Sequence, residues 1–244
     1  MKTALITGAN KSIGFEAARQ LAQKGVFVYI GSRDKAKGEE AAEKLKSEGL
    51  GNVASLQLDV TSEESVKAAR AELGEKTGVL DILINNAGIS GGMPQTALSY
   101  PVDGIKEVFN TNLFGVVMVT QAFIDMVQKS EEPRIVNVTS GLGSLTLATD
   151  PASPYYHVKG AAYHPSKAAL NMYTVVLAYE LRDTAAKVNV VDPGYTKTDF
   201  NNHQGFGTVE DAAARVVKYA LIGNDGPSGK FFSEQVFPDG ECPW

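Results

Sequence analysis

The stretch TALITGANKSIGFEAARQLAQKGVFVYIGSR, Thr3 to Arg33, changes its hydrophobic period twice. Residues 3–7 are a short β-branched run that ends at a glycine, residues 13–24 place apolar side chains at helical spacing, and residues 26–30 return to strand formers. A helix between two apolar strands is a crossover, so the two strands lie parallel. The alternation continues through strands at 53–58, 80–85, 134–139 and 187–191, with a seventh at 230–235. Helical stretches at 35–47, 62–76, 103–129, 166–182 and 209–221 separate them. Strands with few charges fit a sheet covered on both faces. The expectation is an α/β fold with a doubly wound, mostly parallel sheet of about seven strands. No linker, repeat or low-complexity tract divides the chain, so residues 1–244 are expected to form one domain.

Composition narrows the partners. The 244 residues are 43% hydrophobic and 21% charged, ordinary for a globular chain, and carry a net charge of −5. An acidic chain lacks the footprint of a nucleic-acid or anionic-membrane binder, which leaves a small-molecule partner. Cys242 stands alone and His157, His164 and His203 have no ligand spacing, so neither a disulfide nor a metal site is expected. The N-terminal MKTALITG is too short for a signal h-region or a membrane span, and a cytoplasmic protein is expected.

Ligands of doubly wound sheets sit beyond the carboxyl ends of the strands. The first such loop, TGANKSIGFE at 7–16, passes Gly8, reaches Gly14 and opens a helix, the geometry that lays a pyrophosphate on free N–H groups. A plain tight turn is the alternative. Ser12 stands where a third glycine is expected, and its small hydroxyl still permits close approach. The second strand runs into Gly31, Ser32 and Arg33. Arg33 with Lys11 would clamp a 2′-phosphate, which points to NADP(H). Asp34 reads either as the ribose-binding acid of an NAD site or as the N-cap of the next helix.

The segment YYHVKGAAYHPSK, 155–167, holds Tyr-x-x-x-Lys twice. Tyr and Lys at that spacing meet only on a helix. Tyr155 and Lys159 follow two prolines and precede Gly160, which predicts a loop. Tyr163 and Lys167 lead into a sustained apolar face, and Pro165 falls in the first turn, where its missing N–H does no harm. The second pair is therefore the candidate for chemistry. A neighbouring ammonium favours the phenolate and lowers the tyrosine pKa toward working pH.

The motifs TGANKSIG, NNAG at Asn85–Gly88, TNLFG around Asn112, IVNVTS ending at Ser140, YHPSK at Tyr163–Lys167 and DPGYTKT at Asp192–Thr198 occur in one order over essentially the whole chain. That order resembles the classical short-chain dehydrogenases/reductases, which have a Rossmann-type fold. The Asn10-Lys11 pair, the Gly-Ser-Arg turn and the ending Asp239-Gly-x-x-Pro-Trp resemble the NADPH-dependent carbonyl reductase branch. The resemblance implies a reductase of ketones or aldehydes, with Asn112, Ser140, Tyr163 and Lys167 as a catalytic tetrad. Tyr163 would protonate the carbonyl oxygen, Lys167 would bind the nicotinamide ribose, Ser140 would hold the substrate oxygen, and Asn112 would anchor a relay water. It also implies cofactor contacts from Gly8, Lys11, Ser12, Ile13, Gly14, Ser32, Arg33, Asp59, Val60, Asn86, Ala87, Gly88, Tyr163, Lys167, Pro193, Gly194, Thr196 and Thr198. Asn86 reads equally as a tie between strand ends, and Asp59 as the start of a turn.

One departure from the family pattern stands out. Ser140 and Tyr163 lie 23 positions apart where about a dozen are usual, so residues 142–162 carry an insertion. It reads as a wall over the substrate lined by Tyr155 and Tyr156, or as a surface excursion. Monomeric carbonyl reductases also lengthen this region, while the helices at 103–129 and 166–182 are those the family uses to dimerise. A homo-oligomer, dimer or tetramer, and a monomer both remain open. Residues 199–208 read as a segment able to close over substrate. Tyr195, Phe206 and Trp244 would either line a pocket for apolar or aromatic carbonyl compounds or pack the core. The competing functions are a non-catalytic NADP(H) sensor, disfavoured by the intact proton-donor set, and a nucleotide-sugar epimerase. The epimerase needs a larger substrate lobe than the roughly sixty residues after Asn189 provide.

Overall fold

A computed structural model describes residues 1–238 and 240–244; Asp239 of the C-terminal motif lies outside the described residues. Seven strands form one all-parallel sheet: β1 (Thr3–Ile6), β2 (Phe27–Ser32), β3 (Val53–Gln57), β4 (Ile82–Asn85), β5 (Arg134–Val138), β6 (Lys187–Val191) and β7 (Phe231–Phe232). Their spatial order is β3-β2-β1-β4-β5-β6-β7. The order reverses between β1 and β4, which opens the crevice where ligands of such sheets bind.

The period of two along each strand sends alternate residues to two separate cores. Ala4 and Ile6 face one layer together with α1 (Ser12–Gln23), α2 (Lys35–Ser47) and α8 (Val209–Ala220). Leu5 faces the other, against α3 (Glu63–Lys76), α5 (Gly115–Val127) and α7 (Tyr163–Glu180). The fully buried Phe123 sits in that second layer. No helix among the described residues is long and apolar enough to cross a membrane.

Most boundaries lie within two residues of the sequence reading, and three elements depart further. The helix expected over 103–129 is α4 (Val102–Phe109), a π-helical turn Asn110–Phe114 and α5. Asn112 lies in that turn and is buried with its amide bonded to two neighbouring segments. π-turns of this kind commonly occur at functional sites. The last strand ends at Phe232, because Val236 and Phe237 fold back to the Ser233 carbonyl in a turn. α7 begins at Tyr163, three residues before the apolar stretch at 166–182, with Pro165 in its first turn as expected. The insertion contains a 3₁₀ turn Gly141–Gly143, the short helix α6 (Leu145–Thr149) and turns. Its start is tied to the chain end: the Ser144 hydroxyl donates to the Pro243 carbonyl and the Thr146 N–H to that of Trp244.

Candidate active site

The loops after β1 and β4 meet at the reversal point. Thr7 Oγ1 accepts the N–H groups of Asn86 and Ala87, and Asn86 Nδ2 donates to the Thr7 and Gly8 carbonyls, at 2.9 and 3.2 Å. Asn86 thus ties the strand ends together. A Cβ on Gly14 would lie 2.5 Å from that Nδ2, and one on Gly8, at φ +63°, 3.0 Å from Ala87 Cα. Both positions require glycine for close approach. Ser12 adopts φ +54°, the left-handed conformation glycine usually supplies. Lys11 precedes α1 in extended conformation with no side-chain cap, so the first amides of the helix lie open to the crevice with Ile13 beside them.

Along β2 the structure separates the expected cofactor residues. Arg33 is exposed on the cleft with Lys37 nearby. Ser32 is buried, and its hydroxyl is spent on the Asp34 carbonyl at 2.7 Å. Asp34 accepts the Lys37 N–H at 3.2 Å and caps α2. The N-cap reading of Asp34 therefore holds. Lys11 does not join Arg33: its ammonium crosses the cleft to Asp199 at 2.9 Å, drawn by the opposite charge on the far wall. Asp59 begins a turn by accepting the Thr61 N–H and hydroxyl on Oδ1, while Val60 packs under Gly115.

Tyr163, Lys167, Ser140 and Asn112 come together at the other end of the cleft. Lys167 Nζ donates to the Val138 carbonyl at 2.8 Å and lies 5.8 Å from the centre of the Tyr163 ring. Ser140 caps the 3₁₀ turn by accepting the Leu142 N–H on Oγ, which leaves its own O–H to donate. Asn112 uses its side chain as a frame: Oδ1 accepts the Ile89 N–H, and Nδ2 donates to the Ile89 carbonyl and to Ser166 Oγ. Both N–H donors of the Asn112 amide are thereby spent on the protein. Asn171 on α7 accepts from Thr139 and donates to the Gly143 carbonyl, holding the Ser140 turn against the helix.

The other Tyr-Lys pair sits in turns. Lys159 Nζ donates to the Tyr155 and Tyr156 carbonyls. Tyr155 nevertheless enters the cleft by lying on Gly141, where a Cβ would fall 2.5 Å from Cε2 of its ring. Tyr156 faces His157 and Lys159 and is no part of the wall. Trp244 is exposed beside Phe231 and belongs neither to the cleft nor to a core, whereas Tyr195 and Phe206 line the cleft. Phe200, in the 3₁₀ turn Asp199–Asn201, sets its ring 5.6 Å from that of Tyr163.

The expectation that Lys167 lowers the Tyr163 pKa is corrected. Burial, reinforced by the Asp192 charge, pushes the phenol up, with only the facing Ser140 working against it. Burial also lowers Lys167 to about 8, opposed by Asp192. Two charged forms in a dry site cost more than one cation gives back. Asp192 is itself pushed up by burial and held down by the Ser233 hydroxyl at 2.7 Å, the Gly194 N–H at 2.9 Å and the Gly141 N–H.

Reading the sequence missed three side chains here. Asp192 fastens the Ser140 turn, the Pro193–Thr198 loop and the C-terminal segment to one carboxylate. Gln235 accepts the Tyr195 N–H at 2.7 Å and packs on Gly194, at φ +87°. Thr196 bonds the Gly194 carbonyl, the Pro193 carbonyl accepts from Arg215, and the Thr198 N–H donates to Asn201, so that loop is fixed along its length. Gln95, buried, accepts the Ala162 and Tyr163 N–H groups. Gln95 and Gln235 lie outside every motif, Asp192 opens one without a role assigned to it, and the partners that matter to the site lie 40 to 68 positions away: Ser233 from Asp192, Tyr195 from Gln235, Ala162 and Tyr163 from Gln95.

The cleft that these residues share measures ≈1420 Å³. Small-ligand pockets span about 300–1,000 Å³, so it has room for a dinucleotide and a second small molecule. A phenol held beside an ammonium and a hydroxyl at one end of such a slot is the equipment proton-transfer chemistry needs. The sequence profile of the short chain dehydrogenases matches residues 2–206, and the chain belongs to that family, whose members are oxidoreductases. It is 35% identical to a (+)-neomenthol dehydrogenase of Capsicum annuum, covering 94% of each chain. Salutaridine reductase from Papaver somniferum superposes with a TM-score of 0.83 at 34% identity, covering 95% of this chain and 99% of that one. The NADPH-bound carbonyl reductase from chicken fatty liver does so at 0.84 and 28% identity, covering 100% and 99%.

Proposed function

We propose that the protein is an NADPH-dependent reductase of ketones or aldehydes, with Tyr163 as the proton donor. The observation that carries this is the convergence of Tyr163, Lys167 and Ser140 on one end of a cleft whose other end is a glycine-lined turn. The places where a Cβ would collide, at Gly8 and Gly14, form a cradle suited to a pyrophosphate. Gly8, Lys11, Ser12, Ile13 and Gly14 would hold that group, Asp59 and Val60 the adenine, and Asn86, Ala87 and Gly88 the adjoining strand end. Pro193, Gly194, Thr196 and Thr198 would hold the nicotinamide. Preference for the 2′-phosphate rests on Arg33 and Lys37 at the mouth, with Asp34 committed to its cap. The likeness to an NADPH-bound carbonyl reductase supports it.

Bound NADPH supplies the hydride. Because burial keeps the Tyr163 phenol protonated at neutral pH, the residue is ready as an acid and transfers its proton to the carbonyl oxygen. The Ser140 O–H donates to the same oxygen as negative charge develops. Lys167 spends one donor on Val138 and keeps two for the cofactor side and for the charge left on Tyr163. Leu142, Tyr155, Val158, Phe200 and Phe206 make the substrate wall apolar and partly aromatic, suited to an apolar ketone. Phe114 and Val176, exposed on the helices expected to pair, favour a homo-oligomer, which sedimentation measures.

The deciding experiment follows NADPH oxidation against aryl ketones, keto esters, diketones and quinones with wild type, Tyr163→Phe and Tyr155→Phe. Activity in wild type and Tyr155→Phe but not in Tyr163→Phe is expected. An active Tyr163→Phe removes the assignment, and turnover with NADH alone removes the cofactor preference.

A further inference from the structure

Gln95 lies between β4 and α4, outside every motif read above, and is 4% exposed. Its amide is saturated. Oε1 accepts the N–H groups of Ala162 and Tyr163, at 3.0 and 2.9 Å, and Nε2 donates to the Ser90 and Gly92 carbonyls, at 2.6 and 2.8 Å. Two donors on one side and two acceptors on the other leave one orientation for the group. Its main-chain carbonyl adds a bond from the Ala161 N–H at 3.0 Å.

These bonds fall on the start of α7. That helix has no side-chain cap of its own, and Pro165 brings no N–H to its first turn. Helix starts leave such donors without partners, and here a glutamine 68 positions away in sequence takes the one on Tyr163 itself. The Tyr163 carbonyl accepts the Ser166 hydroxyl at 2.7 Å, and Ser166 is bonded to Asn112, which brackets Ile89. Both peptide groups of Tyr163 are thus tied to residues 89–95, and Ile89, Ser90 and Gly91 of that segment line the cleft. A Cβ on Gly160 would fall 2.8 Å from Gln95 Oε1, so glycine there is what lets the amide reach.

We propose that Gln95 is a positioning residue for the reaction: it caps α7 from outside and sets the Tyr163 phenol relative to the carbonyl. The proposal rests on the reductase reading for its kinetic consequence, but not for its structural one. A misplacement of about 1 Å costs on the order of 100-fold in rate. Gln95→Met keeps the volume and loses every side-chain bond, Gln95→Glu keeps the acceptor toward Ala162 and Tyr163, and Gly160→Ala pushes the amide away.

The test measures kcat and KM for a ketone that wild type reduces, the NADPH dissociation constant, and amide hydrogen exchange at Ala162 and Tyr163. Gln95→Met and Gly160→Ala are expected to lower kcat about 30- to 100-fold, with NADPH affinity within twofold of wild type and faster exchange at both amides. Gln95→Glu should recover most of the exchange protection and fall between the two in kcat. Asn52→Ala, which removes bonds to the Ala22 and Val26 carbonyls far from the cleft, should lose stability at unchanged kcat. A kcat within threefold of wild type in Gln95→Met overturns the proposal, as does NADPH affinity falling in step with kcat or unaltered exchange. Were wild type to reduce no ketone, the reductase reading would fall. The exchange rates and the ring resonances of Tyr163 would still decide whether Gln95 sets that residue.

Discussion

Replacing Gly141 by alanine isolates the contact that brings the insertion into the cleft. Gly141 has an ordinary backbone conformation, so the substitution carries no left-handed strain and acts through space alone. The new Cβ would stand 2.5 Å from Cε2 of Tyr155 and 2.8 Å from Cζ and the hydroxyl oxygen. Carbon contacts settle at about 3.5–4.0 Å, so the ring must retreat by roughly 1 Å. Overpacking of this kind costs about 1–3 kcal/mol. For a chain of this size that is a fall of roughly 2–12 °C in melting temperature, at about 2–4 °C per kcal/mol. The assay is a double-mutant cycle by thermal unfolding with Tyr155→Ala, run beside turnover of a bulky and a small ketone. Gly141→Ala should be nearly neutral once the ring is gone, giving a coupling above about 1 kcal/mol. An equal loss in both backgrounds would show that the ring does not rest on Gly141, and the argument for Tyr155 as a wall would fail with it.

Asp192→Asn removes the charge that raises both Tyr163 and Lys167, so both should titrate lower and the basic limb of the kcat/KM profile should move to lower pH; an unmoved limb refutes the coupling. Lys167 at about 8 is depressed below its unfolded value, so the unfolded chain binds more protons between pH 8 and roughly 10.4. Wild type should therefore gain stability relative to Lys167→Met as pH rises through that window, measured by urea unfolding, and a flat difference contradicts the burial. Arg33→Ala should weaken NADPH about 10- to 100-fold, as expected for a lost charge-assisted bond of roughly 1.5–3 kcal/mol. NADH binding should be little changed, and equal weakening of both by isothermal titration rules out contact with the 2′-phosphate.

Local signals were the legible part of this chain. The bounds of α2, the cap at Asp34 and the placement of Tyr163 on a helix with Tyr155 outside it follow from spacing, prolines and glycines within a dozen residues, and the structure has each of them. The continuous helix over 103–129 failed because apolar periodicity passes smoothly through a π-turn that Asn112 holds by long-range bonds. The strand expected over 230–235 stops at Phe232 because the Val236 and Phe237 N–H groups close on the Ser233 carbonyl. The pairing of Lys11 with Asp199, 188 positions away, is equally out of reach of local spacing. A lysine one helical turn from a tyrosine is visible in sequence. The burial and the Asp192 carboxylate that reverse its effect are not. Gln95, Asp192 and Gln235 act through contacts that no window of sequence contains.

The bonds from Asn86 and Ala87 to Thr7 and Gly8 span 78–80 residues. The glycine turn is therefore encoded in the first fifteen residues but acquires its floor only when β4 has added to β1. A fragment ending before Leu80 would contain the whole turn and its bond to Gly31 of β2, yet none of its ties to Asn86 and Ala87. During refolding, dinucleotide affinity should arise in one late step with the closing of the sheet's centre, making the ligand a reporter of long-range assembly rather than of helix formation.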